Sequence, residues 1–220
     1  MSWESSALYY QQINEAIKQR LGGLHSARLI LYSVDFAEIE ELQRAGNWAA
    51  AGERMAAAAR SLEAAGADFL LLCTNTMHTV APAIEAAVGI PLLHIADPTA
   101  QAIHRGGLKR IGLLGTRFTM EQDFYVERLR QQGLQVLLPG PAERDTVHRI
   151  IYEELCLGQL REDSRQHYRR IMDSLVAQGA QAIILGCTEI TLLVGAADAS
   201  VPLFDTTALH AAAAAVRALG

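Results

Sequence analysis

Apolar residues recur every four positions near the start of the chain, at Tyr9, Ile13, Ile17 and Leu21. That spacing predicts a helix over residues 5–21, which Gly22-Gly23 stops. The run Leu29-Ile30-Leu31-Tyr32-Ser33-Val34 is apolar without a helical period and predicts a buried strand ending near Asp35. Helices are expected over 37–44 and 48–65, with Gly46 and Gly66 as their stops. A strand over 69–72, a helical stretch over 76–87 and a strand over 91–95 follow. The second half repeats the scheme. Strands are predicted over 110–114, 134–138, 182–185 and 202–204, with helices over 120–132, 143–157, 162–178 and 207–218 between and after them. Strands alternating with helices imply an α/β fold with parallel sheets covered on both faces.

Two apolar runs end in the same way. Phe69-Leu70-Leu71-Leu72 leads into Cys73-Thr74-Asn75-Thr76, and Ala182-Ile183-Ile184-Leu185-Gly186 leads into Cys187-Thr188-Glu189. Ile90-Pro91-Leu92 runs through Asp97 to Thr99-Ala100, and Val201-Pro202-Leu203 runs through Asp205 to Thr207-Ala208. The chain therefore reads as two related domains, residues 1–99 plus 206–220 and residues 100–205. Thr116 precedes Cys187 by 71 positions, and the same interval before Cys73 leads to Ser2. A strand comes just before Thr116, whereas only Met1 comes before Ser2. The internal register thus predicts an opening strand of the first domain ahead of residue 1. In a doubly wound sheet of order 2-1-3-4 that strand is interior, so its absence would leave unpaired edges on both sides.

Composition narrows the chemistry. Half of the 220 residues are hydrophobic, a fifth are charged, and the net charge is −5. Lys and Arg are scattered, which argues against a nucleic-acid partner. No apolar run approaches the roughly 18 residues that span a bilayer, so no membrane partner is expected. Three cysteines make no disulfide framework and point to a reducing cytoplasm. No Cys-x-x-Cys occurs. The seven histidines show no metal-ligand spacing near a cysteine, so no metal is expected.

Ligands of open α/β sheets bind beyond the carboxyl ends of the strands, where Cys73, Cys187, Ser2 and Thr116 all fall. The residues after each cysteine are expected to open helices, whose N–H groups cradle a carboxylate and lower a thiol pKa from about 8.5. Such a site suits a small acid. A thiolate on one face removes the proton beside the carboxylate, and a thiol on the other face returns one.

The Cys-Thr-Asn-Thr motif, the Gly-Cys-Thr-Glu motif and Gly115-Thr116 together resemble the aspartate/glutamate racemase superfamily. The likeness runs along the whole chain and is nearest to the branch of aspartate and broad-specificity amino-acid racemases. Met1-Ser2-Trp3-Glu4-Ser5 matches that branch's first loop, which there follows a strand ending in Gly-Gly. The resemblance implies two pseudo-symmetric flavodoxin-like domains with the active site in the cleft between them. It also implies a small amino-acid substrate, no cofactor and a homodimer. Cys73 and Cys187 become the two acid/bases. Thr74, Asn75 and Thr76, with Thr116 and Thr188, would hold the carboxylate and amine, and Met1 and Gln43 would line the pocket.

Departures from the pattern bear on the substrate. Members committed to dicarboxylates carry an Arg in the loop that here reads Ser33-Val34-Asp35-Phe36, and a Lys at the position of Cys156. Without those cations a neutral or mixed range is expected, including polar, homoserine-like amino acids. Glu189 stands where glutamate racemases have a His, and would polarise Cys187 or orient the amine. Two other readings remain: cis–trans isomerisation of a small dicarboxylate with one cysteine as nucleophile, and a non-catalytic or truncated, inactive amino-acid-binding homologue. Cys156, Tyr9 and Tyr10 are expected to be core. His78 and His94 are expected as core or surface residues, and Asp97 and Asp205 as helix caps.

Overall fold

The computed structural model describes residues 2–220, and Met1 lies outside them. The chain divides into two compact units, residues 1–95 with 210–220, and residues 96–209.

The first unit opens with helix α1 (Trp3–Leu21), capped by Ser2, whose side chain accepts from the Ser5 N–H. Asp35 caps α2 (Phe36–Arg44) and Asn47 caps α3 (Trp48–Ala64) by the same kind of bond. Strand β1 (Leu70–Leu71) is followed by a 3-10 turn (Thr76–Val80), α4 (Ala81–Glu85) and β2 (Leu92–Leu93). β1 and β2 pair in parallel. Ile39, Met55, Leu70, Leu72, Met77 and Ile84 form the core between helices and strands.

Three expectations for this unit are corrected. Residues 29–34 form no strand, and Leu29, Ile30, Leu31 and Tyr32 are all exposed. A strand is held by backbone bonds to a neighbour, and among the described residues the sheet of this unit holds only β1 and β2. The neighbour expected from the register, ahead of residue 1, lies outside the described residues. Tyr10 is exposed rather than core. The helix expected over 76–87 is a 3-10 turn followed by a short α-helix, with Pro82 near the junction.

The second unit contains α5 (Ala96–Arg105), β3 (Arg110–Gly115), α6 (Arg117–Glu121), α7 (Asp123–Gln131), β4 (Gln135–Leu137) and α8 (Pro141–Glu153). A 3-10 turn (Leu155–Leu157), α9 (Glu162–Ala177), β5 (Ala182–Gly186), α10 (Ile190–Leu193), β6 (Leu203–Asp205) and the start of α11 (Thr206–Ala218) follow. Four parallel strands lie in the order β4-β3-β5-β6. This is the 2-1-3-4 order expected of a doubly wound sheet. Here β4 does find its neighbour, with Arg110, Ile111 and Gly112 of β3 set against Gln135, Val136 and Leu137.

Gly112 sits at the centre of β3 because a Cβ there would lie 2.6 Å from Ile183 Cδ1 and 2.9 Å from Leu175 Cδ1. The helix expected over 120–132 is broken at Gln122 into α6 and α7. Asp97 lies in the first turn of α5, where its carboxylate accepts two bonds of 2.7 Å from Arg128 and one of 2.9 Å from Gln132 at α7's end. Asp205 does cap α11, accepting from the N–H groups of Thr207 and Ala208. Among the described residues, no helix is long and apolar enough to cross a membrane.

Candidate active site

Each unit carries one thiol just beyond the carboxyl end of a parallel strand. Cys73 follows β1 and Leu72, and Cys187 follows β5 directly. All three cysteines are free thiols, and all are half-buried. The register between halves has a structural counterpart. Ser2 caps α1 through the Ser5 N–H, and Thr116 caps α6 through the Thr119 N–H.

In the first unit the loop after β1 is held by its carbonyls. Ser5 Oγ donates to the Cys73 carbonyl at 3.1 Å, and His78 Nδ1 lies 2.8 Å from the Thr74 carbonyl. The Ile95 N–H donates to His78 Nε2 at 3.2 Å. Those two partners fix the His78 tautomer, with Nδ1–H as donor and Nε2 as acceptor. His94 packs 4.4 Å and His210 6.0 Å from the His78 ring, and all three rings are buried. Tyr9 OH meets His210 Nδ1 at 2.8 Å, while His210 Nε2 meets the Leu93 carbonyl at 2.7 Å. A carbonyl only accepts, so Nε2 carries the proton and Tyr9 donates. Burial, followed by the neighbouring His94 and His210, drives the His78 pKa well down. Among the described residues, no group of histidines, cysteines or carboxylates is set out to hold a metal ion.

Asn75 and Thr76 are buried beside Cys73, and Thr74 is half-buried. Gln43 is buried as well, and its Nε2 donates to Met77 Sδ at 3.0 Å. Met77 lies in the 3-10 turn of the Cys73 loop, so α2 is tied to that loop through the one polar side chain that the sequence singles out there. Met1 lies outside the described residues.

In the second unit the Cys187 thiol donates to Glu189 Oε2 at 2.9 Å. Thr188 and Glu189 are half-buried, and the turn closes when the Ile190 N–H reaches back to the Cys187 carbonyl at 3.2 Å. Thr116 is buried at the end of β3. It stands in that sheet next to β5, because Gly115 pairs with Gly186 in the register.

The thiols do not titrate as expected. Burial pushes the Cys73 thiol from 9.0 up to about 11. Cys187 is pushed well above its ordinary value, by burial first and then by the adjacent Glu189 carboxylate. The sequence predicts depressed values from helix N-termini. The segments that follow are only a 3-10 turn and the four-residue α10, too short for an aligned dipole to outweigh burial. Both sulfurs therefore rest as neutral thiols near pH 7.

One contributor escapes the sequence reading. Ser5, whose bond to the Cys73 carbonyl spans 68 positions, carries no local signal.

A family model described as Asp/Glu/Hydantoin racemase matches residues 1–214. A crystal structure from Yersinia pestis of a candidate Asp/Glu racemase is 60% identical, with a TM-score of 0.95, covering 100% of this chain and 96% of that one. PH1733 of Pyrococcus horikoshii OT3, an aspartate racemase homologue, is 32% identical with a TM-score of 0.84, again covering 100% and 96%. Broad specificity amino-acid racemase RacX of Bacillus subtilis (strain 168) is 27% identical over 150 residues, 67% of this chain and 63% of RacX. The match thus spans less than two thirds of that curated relative's length. With the family model running over nearly its whole length, the chain belongs to the Asp/Glu/hydantoin racemase family.

Proposed function

We propose that the chain is an amino-acid racemase that inverts Cα with two thiols, Cys73 and Cys187, and needs no cofactor. The carrying observation is the duplication of a half-buried thiol at the end of a parallel strand, once in each unit. Inversion through a planar intermediate needs a base on one face and an acid on the other. One cysteine would remove the proton as a thiolate while the other delivers one as a thiol. The reverse reaction exchanges the roles.

Because both thiols rest protonated, one must first lose its proton. Cys187 already donates to Glu189, so that carboxylate is the acceptor at hand. The ammonium of an arriving amino acid favours the thiolate at either cysteine. Donors beside Cys73, the side chains of Thr74, Asn75 and Thr76, would hold the α-carboxylate.

Side-chain preference follows from charge. Near Cys187 stand Glu189 and Cys156, and the polar group beside the Cys73 loop is the uncharged Gln43. A second carboxylate on the substrate would meet repulsion from Glu189. We therefore assign a neutral, polar range, with dicarboxylic amino acids poorer. The protein is taken to act in the cytoplasm as a homodimer. Light scattering of the purified protein checks the dimer.

A panel of L- and D-amino acids followed by chiral chromatography tests the reading. Interconversion of neutral polar amino acids without added cofactor is the expected result. No interconversion of any member, in either direction, overturns it.

A further inference from the structure

Each carbonyl of Cys73-Thr74-Asn75-Thr76 has a donor. Ser5 Oγ takes the Cys73 carbonyl at 3.1 Å, and His78 Nδ1 takes that of Thr74 at 2.8 Å. The His78 backbone N–H takes the Asn75 carbonyl at 3.0 Å, and Thr79 Oγ1 that of Thr76 at 2.7 Å. His78 thus holds two consecutive carbonyls directly after the thiol. A peptide group is planar and trans, so a pinned carbonyl also fixes the direction of the N–H across the same bond. Through the Thr74 carbonyl, the His78 ring therefore sets the orientation of the Thr74–Asn75 peptide.

The far side of that ring is anchored too. Nε2 accepts from the Ile95 N–H at 3.2 Å, just past β2. Two residues before Ile95, the Leu93 carbonyl accepts from His210 Nε2 at 2.7 Å, and His210 Nδ1 accepts from Tyr9 OH at 2.8 Å. Tyr9 stands one turn after Ser5 on α1. The bonds close a circuit within the first unit. It runs from α1 through Ser5 to the Cys73 loop, through His78 to the end of β2, and through His210 and Tyr9 back to α1. Tyr9, His78 and His210 are buried, and the buried His94 ring packs 4.4 Å from that of His78. Buried polar circuits of this kind hold one arrangement when every member is satisfied.

We propose that His78 is a positioning residue for Cys73, and that its Nδ1–H, by holding the Thr74 carbonyl, keeps the loop closed and the thiol seated at the end of β1. The Ile95 N–H has a separate part. By occupying Nε2 as an acceptor it leaves the ring proton on Nδ1, where the loop needs it. His78 acts through the loop and touches no reacting atom. Its role in turnover rests on the two-thiol reading, whereas its hold on the seat of Cys73 does not.

Two substitutions separate the two bonds. Asparagine places an amide N–H where His78 has Nδ1, and glutamine places an amide oxygen where it has Nε2. His78→Asn keeps the bond to Thr74 and loses that to Ile95, and His78→Gln does the reverse. The test is the rate at which iodoacetamide alkylates Cys73, resolved from Cys187 and Cys156 by peptide mass spectrometry. It is read where the circular dichroism of each variant matches the wild type, and it needs no substrate. In His78→Gln the loop opens and the thiol loses part of the burial that raises its pKa from 9.0 to about 11. Cys73 should then alkylate about tenfold faster at a given pH. In His78→Asn it should stay within about twofold of the wild type, and Cys187 should keep its rate in both. Racemisation should be about tenfold slower in His78→Gln than in His78→Asn, in kcat more than in KM. Equal acceleration of Cys73 in both variants, which lost stability alone would give, overturns the proposal. So does acceleration in His78→Asn alone, or in neither variant. If His78→Gln does not fold, His78→Asn decides by itself: an unchanged Cys73 supports the proposal and a tenfold faster one overturns it. If the wild-type protein racemises nothing, the function falls while the alkylation rates still decide this inference.

Discussion

Replacing Glu189 by Gln isolates the charge that acts most directly on Cys187. The thiol donates to Glu189 Oε2 at 2.9 Å, and this carboxylate is the leading cause, after burial, of the raised thiol pKa. Two unit charges about 4 Å apart repel by about 1 kcal/mol in water and about 4 kcal/mol at an effective dielectric near 20. Cys187 and Glu189 are half-buried, which places the repulsion between those limits, near 2 kcal/mol. Removing it should lower the thiol pKa by roughly 1.5 units and raise the thiolate fraction at pH 8 by about thirtyfold. The amide matches the carboxylate in size, so the packing stays. Peptide-resolved alkylation of Cys187 across pH reads the shift directly. Faster alkylation of Cys187 at a given pH, with the Cys73 rate unchanged, is the expected signature. An alkylation profile unchanged, or displaced to higher pH, would refute the electrostatic reasoning.

Two further perturbations read the scaffold. His78 is held neutral by burial among His94 and His210, so its folded pKa lies below the unfolded value near 6.5. The unfolded chain then binds the extra proton as pH falls, and stability present above about pH 6.5 is lost below it at up to about 1.4 kcal/mol per pH unit. Urea midpoints at pH 7.5 and 5.5 should separate in the wild type and converge in His78→Asn, and equal separation in both would exclude His78 as the cause. Gly112→Ala places a Cβ 2.6 Å from Ile183 Cδ1 and should cost about 1–3 kcal/mol in chemical denaturation, through overpacking of β3 against β5. A variant as stable as the wild type would show that Ile183 and Leu175 move aside freely.

Much of the architecture is visible in the chain because strand, helix and stop residues agree locally. The run Ile111 to Leu114 and the run Ala182 to Leu185 are apolar on both faces, and both are interior strands. Leu29 to Val34 carries the same pattern and forms no strand, since pattern supplies the side chains but not the neighbour that pairs the backbone. The break at Gln122 is equally hidden, because apolar residues continue on either side with helical spacing. Both thiols and the capping pair Ser2 and Thr116 were legible from the internal repeat. The thiols' titration was not. It depends on burial and on Glu189, and helix position alone pointed the other way. Ser5 and the linked His78 and His210 act over long separations, and single residues without spacing or repeat give no warning of such contacts.

The central claim, two thiols working on opposite faces of one carbon, is tested most directly by deuterium incorporation at Cα in D2O. The wild type should place deuterium in the product made from either enantiomer. Cys73→Ser and Cys187→Ser should each abolish racemisation, and any residual exchange should be confined to one enantiomer, the opposite one in each variant. Full racemisation in both directions by both single variants would contradict the account.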